Sequence, residues 1–179
     1  MGSGPELLDR LKITYVPAED RLELCILARA PAKVHRLHLT RRLTRQWLDQ
    51  LAQVVEASAQ VPAGANPSTR AAIAAMHHEA VAAKANFKPD SADAEQEAQA
   101  RTVPPVLVTQ VNCGYLRQEG RWVLRFGLGA TDSVSLTLSP ETLHGTVELL
   151  SRQLATTDWQ LSPPVSPSAP SQALDGVLH

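Results

Sequence analysis

Histidines are the residues of this chain best suited to proton transfer or metal binding, and His77, His78 and Glu79 place two of them beside a carboxylate. The run falls in a segment of helical propensity, where adjacent residues diverge by about 100° around the axis. Metal-binding helices set their ligands three or four positions apart, so His77 and His78 cannot chelate one ion together, and the expected state is a solvated helical face. His77 could instead combine with a strand histidine, His35 or His38. Those two have opposite parity in one strand and point to opposite faces, which keeps them from acting as one dyad. His144 falls near the start of the last helix, where the helix dipole disfavours its charged form.

Nucleophile chemistry finds no better footing. Cys25 and Cys113 stand alone in apolar, alternating segments, which excludes a CxxC redox pair and a thiolate-rich zinc site and makes both small buried hydrophobes. No serine stands in a nucleophile motif, and Gly127, Leu128 and Gly129 are too short a run to cradle a phosphate after a strand. No catalytic residue, metal ligand or cofactor is assigned, and the expectation is a chain that is not an enzyme. A small-molecule-binding or metal-dependent enzyme is the weakest alternative.

Basic residues are densest at Lys33, Arg36, Arg41, Arg42 and Arg45, running from a strand into the helix that follows it. The 17 Lys and Arg against 18 Asp and Glu leave a formal net charge of -1, so any nucleic-acid contact would have to be local to that patch. Aromatics for base stacking are only 4% of the chain, and several fall on the expected buried side of their strands. A solvated face, or ion pairs with Asp49 or Glu19, explains the arginines more simply.

The elements that would position these residues come in two similar sets. Residues 15–26 laid over residues 115–126 match at Tyr15/Tyr115, Glu19/Glu119, Arg21/Arg121 and Leu24/Leu124, and Pro5 falls on Pro105. Each set reads as an alternating strand (Leu11, Ile13, Tyr15; Val111, Cys113, Tyr115), a polar turn and a second strand (Leu22, Leu24, Ile26; Trp122, Leu124, Phe126). A third strand follows (His35, Leu37, Leu39; Val134, Leu136, Leu138), ending at Thr40 or Ser139, hydroxyl residues suited to cap a helix. Apolar residues then recur at helical spacing: Leu48, Leu51 and Val55, then Val147, Leu150 and Leu154.

The expected fold is therefore α+β: an internally duplicated βββα unit forming a pseudo-twofold antiparallel assembly of about six strands with covering helices. Repeat 1 spans residues 5–58 and repeat 2 residues 105–161, within one globular domain, 1–161. Between them, residues 59–104 are expected to hold an Ala-rich helix near 68–85, capped by Asn66 or Ser68, and a flexible acidic linker at 88–103. Residues 162–179 read as a disordered Pro/Ser tail. Strand-rich duplicated units with a covering helix resemble, at the level of fold, single-strand nucleic-acid binders of the PUR and Whirly kind, whose units have four strands where this chain has three.

At 179 residues and 44% hydrophobic, with no apolar run long enough to span a bilayer, the chain is expected to be cytoplasmic. The function expected is a protein-binding module: an adaptor, assembly factor or accessory subunit, with another protein as partner and a homodimer through open sheet edges as a further mode. Leu174, Val177 and Leu178 at the end of the tail are its candidate docking residues. Single-stranded nucleic-acid binding through Lys33, Arg36, Arg41, Arg42 and Arg45 is the alternative.

Overall fold

The computed structural model describes residues 4–29, 32–85 and 94–165, with side chains left out for 94–97. The fold is α+β, with a mixed seven-stranded sheet and four helices among the described residues. β1 (Glu6–Val16), β2 (Arg21–Arg29) and β3 (Ala32–Thr40) form an antiparallel sheet that leads into α1 (Arg41–Ser58). After α2 (Pro67–Ala82), α3 (Ala94–Thr102) and the two-residue β4 (Val106–Leu107), the pattern recurs as β5 (Gln110–Leu116), β6 (Arg121–Gly127), β7 (Ser133–Leu138) and α4 (Pro140–Leu154).

Period-two alternation sets the apolar face of each sheet. Leu22, Leu24 and Ile26 are fully buried and stand opposite Leu39, Leu37 and His35 in register, while Leu124 and Phe126 stand opposite Leu136 and Val134. Helix starts follow the hydroxyl and amide caps: Thr40, Asn66 and Ser139 accept from the backbone N–H three residues on, at Leu43, Thr69 and Thr142.

Two parallel joints make the sheet mixed rather than wholly antiparallel as expected. Glu6 and Leu7 pair with Leu136 and Thr137 of β7, and Val106 and Leu107 pair with Leu37 and His38 of β3. Each unit's first extended segment thus begins on the other unit's third strand and then crosses to its own second strand. At the second crossing, Val108 donates its N–H to His38 O (3.0 Å) and Thr109 to Gly127 O (2.8 Å), so the strand order closes on itself through the chain.

The helices are exchanged in the same reciprocal way: α1 packs on β5 and α4 on β1. Trp47 of α1 meets Phe126 of β6 edge-on, with ring centroids 5.5 Å apart. Gln50 lays its amide along the edge of β5, donating to Val111 O and accepting from Cys113 N, both at 2.9 Å. Gln153 of α4 accepts from Tyr15 N at 3.1 Å. Part of the strand-edge backbone is therefore satisfied from within: at Leu37 and His38 by the crossing strand, and at Val111, Cys113 and Tyr15 by the glutamine side chains.

Two further expectations change. Residues 94–102, inside the stretch read as a flexible linker, form α3, whose C-terminal side packs on β3 and where Arg36 donates to Val103 O (2.9 Å). A stretch too polar to fold alone is here held from the strand side. The stretch read as a tail is also placed through Val165, which packs partly buried against the core. Its path is set by Trp159, almost wholly buried, whose indole N–H donates to Asp20 and whose ring stands edge-on to Tyr15. Residues 166–179, with Leu174, Val177 and Leu178, lie outside the described residues.

Candidate functional site

α2 lies across α1 and α4, tied to α1 by Arg70, which donates to Glu56 (2.6 Å). It is built largely of alanine, so its buried residues Ala74 and Ala75 leave room beside the larger side chains of its neighbours. Between α2 and α4 this leaves a groove of about 700 Å³, walled by Ala75, Ala82, Ala83 and Ala155. Pro163 and Val165 also line it, and Val165 with Pro164 lines a second cavity of about 480 Å³ between α2 and α1. Residues 163–165 thus lie as a short peptide against the Ala-rich helix, between two spaces they do not fill.

His78 lines the groove and is 8% exposed, which corrects the solvated face expected for it. Its position explains the burial: Ala74 and Ala75 stand four and three residues before it, so His78 continues their stripe onto α4. There it meets His144, which has no exposed surface, with Nδ1 2.9 Å from Nδ1. His77 reaches the same ring edge-on, at 5.4 Å between centroids. His144 Nε2 lies 3.1 Å from Ser58 Oγ, and the Ser58 hydroxyl lies 2.8 Å from Val55 O at the end of α1.

Proton positions along this chain are determined by its two ends. The Ser58 hydrogen is given to a carbonyl, so Ser58 Oγ accepts and His144 carries its proton on Nε2. Burial, reinforced by the neighbouring His78 and His77, pushes the His144 pKa down to about 4, so the ring is neutral near pH 7 and its Nδ1 is a lone pair. His78 must then donate from Nδ1, and burial lowers its pKa too, against the opposing pull of Glu148. What remains is the His78 Nε2 lone pair, facing Glu148 Oε2 across 3.8 Å, too far for a hydrogen bond. The other Glu148 oxygen accepts from Arg152 Nε at 2.9 Å.

The five basic residues singled out in the sequence do not act as one patch. Lys33 lies 3.2 Å from Glu6, whose carboxylate also takes His35 at 2.8 Å. Burial alone would raise the Glu6 carboxyl, but the His35 and Lys33 hydrogen bonds outweigh it and hold it below its usual range. Arg36 pairs with Glu23 at 2.7 Å, where His38 also bonds at 3.1 Å, so the partners are Glu6 and Glu23 rather than Asp49. Arg41 donates to Trp159 O at 2.6 Å, fixing the chain that leaves α4. Arg42 and Arg45 are exposed on the first turns of α1.

His35 and His38 do face opposite sides, His35 on Glu6 and His38 between Glu23 (3.1 Å) and Glu19 (3.3 Å). Both cysteines are half-buried thiols outside any disulfide, and burial pushes the Cys113 thiol up to about 11 despite the Trp47 indole beside it. Among the described residues no three His, Cys, Asp or Glu side chains converge to hold a metal ion, and no helix is long and apolar enough to cross a membrane.

Comparison with protein-family models, with curated proteins and with solved structures finds no match to this chain.

Proposed function

We propose that this chain is a non-enzymatic protein-binding module of the cytoplasm, an adaptor or accessory subunit, whose partner surface is the groove between α2 and α4. The observation that carries the reading is that Pro163 and Val165 already lie along that groove, beside about 700 Å³ of further space with alanine walls. A groove that accepts a proline-containing stretch of its own chain has the width and the apolar lining to accept one from a partner. Proline-rich segments lose little entropy on docking, which suits a shallow site. The same reading takes the two βββα units as copies of one ancestral unit, supported by their reciprocal crossings.

The test uses the full chain and a fluorescein-labelled peptide, Ser-Pro-Pro-Val-Ser-Pro-Ser-Ala-Pro, the sequence of residues 162–170 supplied in trans. Saturable binding by anisotropy is expected, and Ala82→Trp, which fills the groove from a half-buried helix position, should weaken it at least tenfold without lowering Tm. Unchanged binding in that variant would move the partner surface elsewhere on the molecule. Nucleic-acid binding has less support, because Lys33, Arg36 and Arg41 are each engaged by a partner within the fold.

A further inference from the structure

The groove is apolar along its walls and polar at one place. There the His78 Nε2 lone pair and the free oxygen of Glu148 stand 3.8 Å apart, and Glu79 lines the same wall. Both facing atoms are acceptors near pH 7, because the hydrogen-bond chain through His144 and Ser58 takes the single proton of His78 on its other nitrogen. Among the described residues no donor stands between these two acceptors, which therefore repel, and His78 is more than nine-tenths buried, so bulk water relieves this only at the groove mouth.

Resting on the reading of the groove as a peptide site, we propose that its partner segment carries a lysine or arginine seated between His78 Nε2 and the Glu148 carboxylate. An ammonium or guanidinium supplies the missing donor to both acceptors, and an apolar flanking sequence covers the alanine walls. The charges facing His78 permit this: Glu79 and His77 from α2, Glu148, Arg152 and the neutral His144 from α4, and the uncharged Ser58 from α1. Two carboxylates against Arg152 leave the site net negative, with Arg152 held on the far oxygen of Glu148. Residues 162–179 contain neither lysine nor arginine, so the tail brings no ammonium or guanidinium of its own to the site.

A cation and a proton compete for the same lone pair. Protonated His78 would pair with Glu148 itself and repel the incoming charge, so selection for a cation should be complete at pH 7.5 and fade as the solution is acidified through the lowered titration of His78.

The full chain is titrated by anisotropy with two labelled, N-acetylated and C-amidated peptides, Ser-Pro-Pro-Val-Lys-Pro-Ser and the same sequence with norleucine for lysine. At pH 7.5 the lysine peptide should bind at least tenfold more tightly. That advantage should fall below threefold in Glu148→Gln, a half-exposed substitution that keeps shape and folding, and should shrink in the wild type as the solution is acidified stepwise below pH 6.5. In His78→Gln the ratio should stay constant over the same range. Equal binding of the two peptides, unaffected by Glu148→Gln, would overturn the cation site while leaving the groove in place. Failure of both peptides to bind would overturn the groove reading as well.

Discussion

His144 has no exposed surface, and its two neighbours, Ser58 and His78, fix which of its nitrogens carries the proton. NMR long-range proton–nitrogen spectra at pH 7 should therefore show the Nε2–H form for His144 and the Nδ1–H form for His78, and the reverse pattern would break the relay. Stability should follow. The folded ring refuses a proton until about pH 4, whereas an unfolded histidine takes one near pH 6.5, so the unfolded chain binds more protons across that window. The contribution of His144 is complete above about pH 6.5 and is lost on acidification, by up to roughly 3 kcal/mol. His144→Gln keeps an acceptor for His78 and a donor for Ser58 without titrating. In urea unfolding between pH 7.5 and 4.5 it should lose less stability on acidification than the parent chain, and an identical slope would assign the effect to other groups. Sequence alone showed the direction for His144 but credited the helix dipole, since its burial depends on α2 crossing α4. His78 was misplaced for the same reason, although its spacing from Ala74 and Ala75 was a signal present in the sequence.

Elements were the most legible level. Alternation identified the three strands of each unit, and Thr40, Asn66 and Ser139 marked the helix starts, because capping and pleat are local effects that act within a few residues. α3 and β4 were missed, since neither has a local reason to form: each is held by β3, far away in sequence. Gln50 was missed as well, being an ordinary surface residue by composition while serving as a false strand beside β5. Gln50→Ala should leave Val111 O and Cys113 N without their partner and cost about 1–2 kcal/mol. Hydrogen exchange should locate the loss: the Cys113 amide is expected to exchange faster while amides of β2 stay protected. Equal protection at Cys113 would mean that water or a neighbour replaces the glutamine.

At the scale of the whole molecule, the sequence carried the composition of two similar halves but not the way they meet. Mutual burial was expected, yet the crossings at Glu6 with Leu136 and at Leu37 with Val106 depend on pairings between residues far apart in the chain, for which no local pattern exists. The same holds for the anchoring of Trp159 on Asp20, which joins the end of α4 to the β1–β2 turn and carries the following residues over α2. The groove, and the site within it, exist because of these long-range contacts.

The exchange of strands and helices means that neither half owns a complete core. Among the strands, α1 packs more on β5 than on those of its own unit and α4 more on β1 than on its own, and each first extended segment begins its pairing on the opposite third strand. A chain broken anywhere between Ala85 and Ala94 should therefore behave as a split protein: each fragment largely unfolded when made alone, the pair reassembling when co-expressed. Co-purification of the two fragments with a circular-dichroism spectrum like that of the intact chain is the expected result, and a fragment that folds cooperatively as a monomer would refute it. Fragment complementation of this kind makes the meeting of the halves the event that creates the fold.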